Sequence, residues 1–519
     1  MLTKLFNIVL LSGIIPEEWT KGLIAPIYKK KGDEADPNNY RGISLLSCVG
    51  KVFSSLLSSR LTRYIDSFEI MGGEQAGFRK GYSTVDKIFI LQALLELYRM
   101  KKRKLYCCFV DYKKAFDMVP RVLLWQKLLS NNINGKIFEL IKNLYSSAKS
   151  AIKLNSEVGT FFNFNIGVRQ GDNLSPLLFA LYLNDLQEFL AKAYNGFPMA
   201  ANLIQDYVQD WDTVSYLKLF ALLYADDTIV MAESRHELQA AMNGMFHYCN
   251  IWKLQLNTQK TKVVIFGSRK AETYFKFGNQ DIEVVAEYTY LGVLFTNTGN
   301  LSKNISRISN VASRAMFAIL KKARRLGLDL DIQLQLFDSV VATVALYGCE
   351  VWGFGNTNII DKLQVRFCKI LLKAKRSTPT CMVLGELGRL PIQFNIESRM
   401  LGFWFRCLNG NGKISCSFYK LLYKLHTQNV YSSKWLLKIR NILDKCGLLN
   451  IWNTQDTIDM NYINFKNLCK RKLRDYYIEE WNRVVSESRK CFFYKEYKKE
   501  LVYENYLNKL DVSLKIPNK

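Results

Sequence analysis

Histidine is scarce in this sequence of 519 residues, and its cysteines are scattered. The three histidines are His236, His247 and His426, and none of the twelve cysteines forms a Cys-x-x-Cys pair. Zinc fingers and zinc knuckles need closely spaced cysteine and histidine ligands, so the sequence argues against sites of this kind. The cysteine spacing does not resemble a disulfide framework either, which indicates a reducing, intracellular location in the nucleus or the cytoplasm.

Long apolar runs are also missing. No uninterrupted stretch reaches the roughly 18 apolar residues that a membrane-spanning helix needs. The N-terminal segment LFNIVLLSGII contains Asn7, Ser12 and Gly13 and has no small-residue cleavage site after it. It therefore predicts a packed helix and not a signal peptide, and no targeting signal is found.

Acidic residues are outnumbered by basic ones. Lysine and arginine total 72 against 46 acids, which gives a formal net charge of +26. This surplus indicates a polyanionic partner, nucleic acid first, although solvated lysine faces would produce the same count. The clearest basic clusters are KKARR at 321–325 and KRKLR at 470–474.

Two adjacent acids, Asp226 and Asp227, lie between apolar runs in LLYADDTIV, residues 222–230. The pattern predicts two strands joined by a turn, and acids at such a turn are commonly just solvated. Another acid, Asp111, follows the continuous apolar run LYCCFV, which is typical of a buried strand. If the two strands are neighbours, three carboxylates converge at one edge of a sheet.

Three clustered carboxylates repel one another, and each raises the pKa of the others. Divalent cations with oxygen ligands, Mg²⁺ first and Mn²⁺ as an alternative, remove that repulsion. Two such ions about 3.5–4 Å apart are the arrangement used for in-line phosphoryl transfer. The sequence therefore predicts a two-metal site at these three aspartates.

Three segments, in this order, resemble the core motifs of reverse transcriptases: FVDYKKAFDMV, GVRQGDNLSPLLFALYLNDL and YADD. YRGISLLSCVGKVF, QAGFRKGYST, LNTQKTKVVIFG and YLG resemble the flanking motifs of the non-LTR retrotransposon group, the LINE and jockey-like elements. The similarity extends from residue 1 to about residue 300. It implies an RNA-directed DNA polymerase that joins deoxynucleoside triphosphates to a DNA primer on an RNA template.

The resemblance implies a role for each residue that matches a family motif. The expected metal ligands are Asp111, Asp226, Asp227 and the main-chain carbonyl of Tyr112, and the expected general acid is Lys260. The expected substrate contacts are Lys29 and Arg41 on the triphosphate, Phe116 at the sugar, and Gln170 and Gly171 at the base pair. The primer grip is expected at Tyr290, Leu291 and Gly292, and thumb contacts to phosphates at Lys321, Lys322, Arg324 and Arg325.

Ordinary structural roles compete with several of these assignments. Lys260 also fits a solvated lysine before a strand, and Phe116 also fits a core residue beneath a helix. TYLGVLF, which contains the primer-grip residues, is predicted to be a strand and fits an ordinary core strand nearly as well. Two positions depart from the family pattern, since Gly42 and Asn173 stand where prolines are usual, and both changes are expected to loosen a loop.

The implied fold is α+β, a right-hand polymerase with fingers, an antiparallel palm sheet and a helical thumb. The expected divisions are 1–105 for the fingers and N-terminal part, 106–295 for the palm with finger insertions, 296–400 for a helical thumb-like region and 401–519 for a basic helical region. The reverse transcriptase domain itself is expected at about 10–295.

Two other functions stay open at this point. One is a catalytically idle remnant that only binds nucleic acid, and the other is a group II intron-type maturase, which shares the palm. The family pattern is already under way at residues 5–7. We therefore expect Met1 to be an internal methionine of a longer reading frame, and a chain that copies without cutting a target.

Overall fold

The computed structural model describes residues 1–72, 75, 77, 79, 81–193, 221–224, 227–268, 274–410, 413–457 and 460–509. The chain divides into two compact units. The first consists of Met1–Lys87 and Lys101–Tyr288, and the second of Ile88–Met100 and Thr289–Lys519. None of the helices in the described ranges combines the length and the apolar character needed to cross a lipid bilayer.

Helices and strands alternate in the first unit. Its helices are α1 Leu2–Ser12, α2 Glu17–Thr20, α3 Cys48–Ser67, the start of α4 Thr84–Met100, α5 Arg121–Ser130, α6 Gly135–Ser146, α7 Ser175–Tyr182, α8 Leu186–Ala193 and α9 Arg235–Ile251. Its strands are β1 Lys21–Tyr28, β2 Tyr40–Leu46, β3 Leu105–Val110, β4 Lys149–Leu154, β5 Glu157–Val158, β6 Phe162–Asn163, β7 Ala221–Tyr224, β8 Asp227–Ala232, β9 Lys262–Phe266, β10 Tyr274–Phe277 and β11 Gln280–Glu283. The strand β12 Glu287–Tyr290 begins in this unit and ends in the second.

A four-stranded antiparallel sheet with the order β7-β8-β3-β9 forms the centre of the first unit. All six side chains of β3 are buried, as its uninterrupted apolar sequence predicts for a central strand. The helix α9 is capped by Ser234, whose hydroxyl accepts from the N–H of Glu237 while the Glu237 carboxylate accepts from the N–H of Ser234. This reciprocal cap fixes the start of the helix directly after β8.

A second sheet holds the N-terminal hairpin. β1 pairs antiparallel with β2 along its length and parallel with β4 on its other side. A separate apolar cluster is formed by Phe6, Val9, Trp19, Phe53, Leu57 and Leu140. The segment LFNIVLLSGII is therefore a packed helix, as the sequence predicts.

Two sequence-based predictions about single elements are wrong. The sequence of SPLLFALYLNDLQEFL predicts one amphipathic helix beginning at Pro176, but the segment forms two helices, α7 and α8. TYLGVLF forms two strands, because the chain turns at Leu291 with a φ of 43° and at Gly292 with a φ of 79°. Apolar periodicity indicates which side chains are buried and does not reveal such a turn. Leucine rarely adopts a positive φ, so the residue type gives no signal of a turn at position 291.

The second unit is almost entirely helical apart from β12 and β13 Val293–Thr296, which form a two-stranded sheet. Its helices are α10 Ser302–Leu326, α11 Leu330–Leu336, α12 Ala342–Ala345, α13 Cys349–Trp352, α14 Asn358–Leu371, α15 Thr380–Glu386, α16 Gln393–Asn409, α17 Ile414–Thr427, α18 Lys434–Lys445, α19 Leu449–Thr454, α20 Tyr462–Glu487 and α21 Tyr494–Tyr497. The larger part of α4 also belongs to this unit.

A buried carboxylate connects three of these helices. Glu397 on α16 is fully buried, and its Oε1 accepts hydrogen bonds of 2.8 Å from Lys438 and Lys445 of α18. Its Oε2 accepts one of 2.9 Å from the Tyr477 hydroxyl of α20. Burial by itself raises the pKa of Glu397, but the two lysines outweigh it and hold the pKa below the ordinary value of 4.5.

We expect Glu397→Gln to lower the free energy of unfolding at pH 7 by about 3–5 kcal/mol, because two lysines lose their buried counter-charge. The carboxylate contributes stability above its unfolded pKa and loses it as the pH falls through its lower folded pKa. The difference between wild type and variant should therefore shrink below about pH 4.5. Denaturant unfolding followed by circular dichroism at pH 7 and pH 4 measures both effects.

The surface pair of Glu480 with Arg483 supplies a matched control for this measurement. Glu480→Gln removes a carboxylate with a 2.7 Å contact to Arg483, but both side chains are exposed. Exposed pairs contribute little, so this variant should unfold close to wild type. Equal destabilisation by the two substitutions would contradict the role assigned to Glu397.

Candidate active site

Asp111 and Asp227 lie at the same end of the central sheet. β3 and β8 are neighbours, and the last pair in their register is Val110 with Thr228. Asp111 comes directly after Val110 and Asp227 directly before Thr228, so the antiparallel register places the two acids side by side. Asp227 is exposed, and the Asp111 side chain retains 34% of its exposure.

The backbone of Asp111 is fixed by the loop before β9. Its carbonyl accepts a 2.7 Å hydrogen bond from the N–H of Asn257, and its N–H donates to Oγ1 of Thr261 at 3.1 Å. Thr261 is fully buried. These bonds bring Lys260 to the site, where its Nζ lies 3.5 Å from Oδ2 of Asp111.

Tyr288 lies beside both aspartates. Its ring stacks on Phe109 of β3 with a centroid separation of 4.4 Å. Burial, and then the charges of Asp111 and Asp227, raise the pKa of the Tyr288 hydroxyl to about 12. The hydroxyl therefore stays protonated near neutral pH and can donate to an oxygen at this edge of the sheet.

The oxygen donors at this edge fit divalent cations. Asp111 and Asp227 supply carboxylates, and Tyr112 carries the main-chain carbonyl that follows Asp111. Hard oxygen donors of this kind suit Mg²⁺ or Mn²⁺. Asp226 lies outside the described residues, and no cluster of three acidic, histidine or cysteine side chains occurs within the ranges that the structure covers.

Four residues form a connected group beyond the aspartates. Phe116 is half-buried, and its ring stacks on Phe179 of α7 at a centroid distance of 4.8 Å. The Gln170 amide donates to Oδ1 of Asp117 at 3.1 Å. Burial raises the pKa of Asp117, while the Gln170 hydrogen bond and the charges of Lys114 and Lys29 oppose that rise. Because Asp117 follows Phe116 in the chain, this hydrogen bond brings the segment of Gln170 next to that of Phe116.

Gly171 allows the loop after Gln170 to approach β2 closely. Its φ is 118°, and a Cβ there would lie 2.7 Å from the main-chain oxygen of Ser44. The N–H of Ser44 donates to the Gln170 carbonyl at 2.8 Å. A side chain at position 171 would push the loop away from β2, so this position requires glycine for steric reasons.

Lys29 and Arg41 belong to the β1–β2 hairpin. Arg41 is exposed and pairs with Ile27, and Lys29 follows the last residue of β1. The Nζ of Lys29 donates to the Asn38 carbonyl at 2.7 Å, and the Lys29 charge acts on Asp117. The hairpin therefore carries positive charge towards the group around Gln170.

The two departures from the family pattern differ in structure. Gly42 lies within β2 opposite Pro26, so the expectation that it loosens a loop is wrong. A Cβ at position 42 would come within 2.9 Å of Ile24 Cγ2, so the packing of β2 against β1 favours glycine at this position. Asn173 does lie in a loop, but its side-chain amide donates to the Lys51 carbonyl at 3.1 Å, a tether that proline could not make.

The predicted primer-grip and thumb residues lie in the second unit. Leu291 and Gly292 form the turn between β12 and β13, and the Tyr347 hydroxyl donates to the Leu291 carbonyl at 2.9 Å. Tyr290 is buried. Lys321, Lys322, Arg324 and Arg325 are all exposed near the end of α10.

Three site residues were missed by the sequence-based predictions. Thr261 positions Asp111 from 150 residues away, Asp117 holds Gln170, and Tyr288 stands beside both aspartates. Asp117 and Thr261 are in or next to motifs, yet no local pattern marks them. Tyr288 has no sequence signal at all, because only the stacking of its ring on Phe109 brings it to this edge of the central sheet.

The comparisons with known proteins agree with the motifs. The family model "Reverse transcriptase (RNA-dependent DNA polymerase)" matches residues 28–295, more than half of the chain. The chain is 28% identical to the probable RNA-directed DNA polymerase from transposon X-element of Drosophila melanogaster, over 70% of this chain and 38% of that protein. It is 24% identical to the RNA-directed DNA polymerase from mobile element jockey of the same organism, over 71% of this chain and 39% of that protein.

The chain spans less than two-fifths of the length of each of these relatives. Among solved structures, apo telomerase from Candida tropicalis aligns over 90% of this chain and 72% of that chain, with 12% identity and a TM-score of 0.41. The recognition of a non-LTR retrotransposon type of reverse transcriptase is confirmed by the family model and the curated relatives. The chain belongs to the reverse transcriptase (RNA-dependent DNA polymerase) family.

Proposed function

We propose that this protein is an RNA-directed DNA polymerase that extends a DNA primer on an RNA template with deoxynucleoside triphosphates. The observation that carries the proposal is the placement of Asp111 and Asp227 side by side at the end of the central sheet, with Lys260 next to them. The net charge of +26 supports a nucleic-acid partner. Family membership supports the use of divalent metal ions.

The residues of the site divide the work of nucleotidyl transfer. Asp111, Asp227 and Asp226 would hold two Mg²⁺ ions with the Tyr112 carbonyl, and bound ions supply charge stabilisation for an in-line displacement. Lys29 and Arg41 would bind the triphosphate, and the fork of Arg41 suits phosphate oxygens. Gln170 and Gly171 would contact the nascent base pair, with Asp117 orienting the Gln170 amide.

Primer extension tests this function. The full chain is incubated with a poly(rA) template, an oligo(dT) primer, dTTP and Mg²⁺, and elongation is followed on a denaturing gel. We expect extension that disappears on chelation and returns with added Mg²⁺. Binding of the primer–template without extension would instead support the idle nucleic-acid-binding remnant.

Lys260 is proposed as the proton donor to the leaving pyrophosphate. We expect Lys260→Ala to slow single-turnover incorporation of one nucleotide by about 10²–10⁴-fold, the usual contribution of a general acid. Lys260→Arg is the control, because it keeps the charge beside Asp111 but cannot release a proton at neutral pH. If arginine restores the full rate, Lys260 acts only through its charge.

The thumb cluster is proposed to contact phosphates. Lys321, Lys322, Arg324 and Arg325 are exposed, while Ala323 between them is buried, so the four cations share an outward face of α10. We expect their joint replacement by glutamine to weaken RNA binding. The slope of log affinity against log salt should fall by about 0.7–0.9 for each phosphate that the variant no longer neutralises.

Replacement of Lys470, Arg471, Lys472 and Arg474 by glutamine is the control, because it removes the same number of positive charges from another helix. These cations lie exposed on α20. Fluorescence anisotropy with labelled RNA at several salt concentrations measures both variants. Equal slopes for the two variants would show that the total charge matters and that α10 carries no local contact.

A further inference from the structure

Three large aromatic side chains are exposed near the end of the second unit. Phe492 is 60% exposed, Phe493 75% and Tyr497 88%. They lie in RKCFFYKEYKKE, residues 489–500, which contains five cations and two acids. We call residues 489–506 the aromatic–basic surface. Exposed rings grouped in this way are typical of a contact surface, since single scattered ones are the norm elsewhere.

The backbone beneath these rings is anchored. Cys491 and Leu501 are buried in an apolar cluster with Cys381, Trp481 and Val485. The Tyr494 hydroxyl donates to the Met382 carbonyl at 3.2 Å. Lys498 is buried, donates to the Val502 carbonyl at 2.7 Å and forms an ion pair with Glu504. The exposed rings are therefore held outward by a packed segment.

The rings and cations are arranged for flat, anionic ligands. Phe492 and Phe493 meet edge to face with centroids 5.2 Å apart, and the Lys495 ammonium lies 5.2 Å from the Phe492 ring. Phe493 and Tyr497 lie at the rim of a cavity of about 440 Å³, which Glu386, Lys498, Glu504 and Tyr506 also line. Its two carboxylates are occupied, because Glu386 accepts from the Tyr506 hydroxyl and Glu504 pairs with Lys498. Arg489, Lys490 and Lys499 are exposed on the same segment as the rings.

We propose that the aromatic–basic surface binds single-stranded nucleic acid without sequence preference. Bases would stack on Phe493 and Tyr497, because every base has a π face, and Arg489, Lys490 and Lys499 would contact phosphates. The aromatic–basic surface carries five cations against three acids, and this positive excess favours a polyanion over an apolar protein partner. This inference adds a binding surface to the proposed function, and it rests on that function for the identity of the polyanion as nucleic acid.

The test separates stacking from charge. Anisotropy of labelled oligouridylate is compared with that of a labelled abasic deoxyribose-phosphate strand of equal length, with the full chain. We expect the double variant Phe493→Ala/Tyr497→Ala to bind oligouridylate about 100-fold more weakly, about tenfold for each ring. It should bind the abasic strand as wild type does, since the phosphate contacts are kept.

Two matched variants control for loss of apolar surface. Phe493→Leu keeps apolar bulk without a ring and should behave like Phe493→Ala. Val502→Ala trims an exposed aliphatic side chain of the same surface and should change nothing. If the double variant melts early, Tyr497→Ala alone, at the most exposed ring, gives the same comparison.

Unchanged affinity for oligouridylate, or an equal loss on both strands, would overturn this inference. Its failure is distinguishable from failure of the polymerase proposal. A chain that extends primers but binds oligouridylate equally well with and without the rings refutes only the stacking surface. A chain that never extends a primer, yet loses affinity when the rings are removed, refutes only the polymerase.

Discussion

Asp111→Asn is expected to reduce primer extension by more than about 10³-fold while the protein stays folded. The substitution removes one of the carboxylates that would hold the divalent cations and keeps the shape of the side chain. The ion pair that it breaks is weak, because Lys260 is 67% exposed and its Nζ lies 3.5 Å away. Primer extension and thermal melting of the same preparation measure the two effects. The sequence predicts the same loss for Asp226→Asn.

Asp281→Asn is a matched control for this prediction. Asp281 also forms an exposed pair with a lysine, Lys276, at 3.4 Å, but on the β10–β11 hairpin. The Asp281→Asn variant should retain primer extension and melt like wild type. Both Asp281→Asn and Asp111→Asn should bind RNA as wild type does. Near wild-type extension by Asp111→Asn, with a matching melting curve, would rule out its role as a metal ligand.

Phe116→Val is expected to raise the incorporation of ribonucleotides relative to deoxynucleotides by roughly 10- to 100-fold. The two substrates differ by a 2′-hydroxyl, which an apolar pocket rejects poorly by affinity alone. A rigid ring can reject it by displacing the α-phosphate from its line with the primer. The stacking of Phe116 on Phe179 would hold the ring for this purpose. Single-nucleotide incorporation of dNTP and rNTP by wild type and variant gives the ratio.

Phe116→Tyr is the control, since it keeps the ring and should keep the discrimination. The competing role is a core residue, for which valine would lower stability by roughly 1–3 kcal/mol and reduce both activities together. Phe116 is half-buried, so part of its ring is available to a ligand. An unchanged ratio with lowered stability would assign Phe116 to packing.

The sequence by itself determined the family and the strands that carry the aspartates. Catalytic motifs are local, and their spacing survives without knowledge of the fold, so Asp111, Asp226 and Asp227 could be selected at once. Apolar runs also predicted that β3 is buried and that β7 and β8 flank the acids. The candidate site could therefore be located from the sequence, because Asp111 follows β3 directly and Asp227 begins β8.

Only the tertiary structure decided how those groups are held. Thr261 reaches Asp111 across 150 residues, Asp117 meets Gln170 across 53, and Tyr288 packs on Phe109. Local periodicity carries no information about such pairs, because they arise from strand order and not from spacing. The turn at Leu291 and the burial of Glu397 also could not be predicted from local sequence. Each depends on distant groups that make an otherwise unfavourable conformation or charge stable.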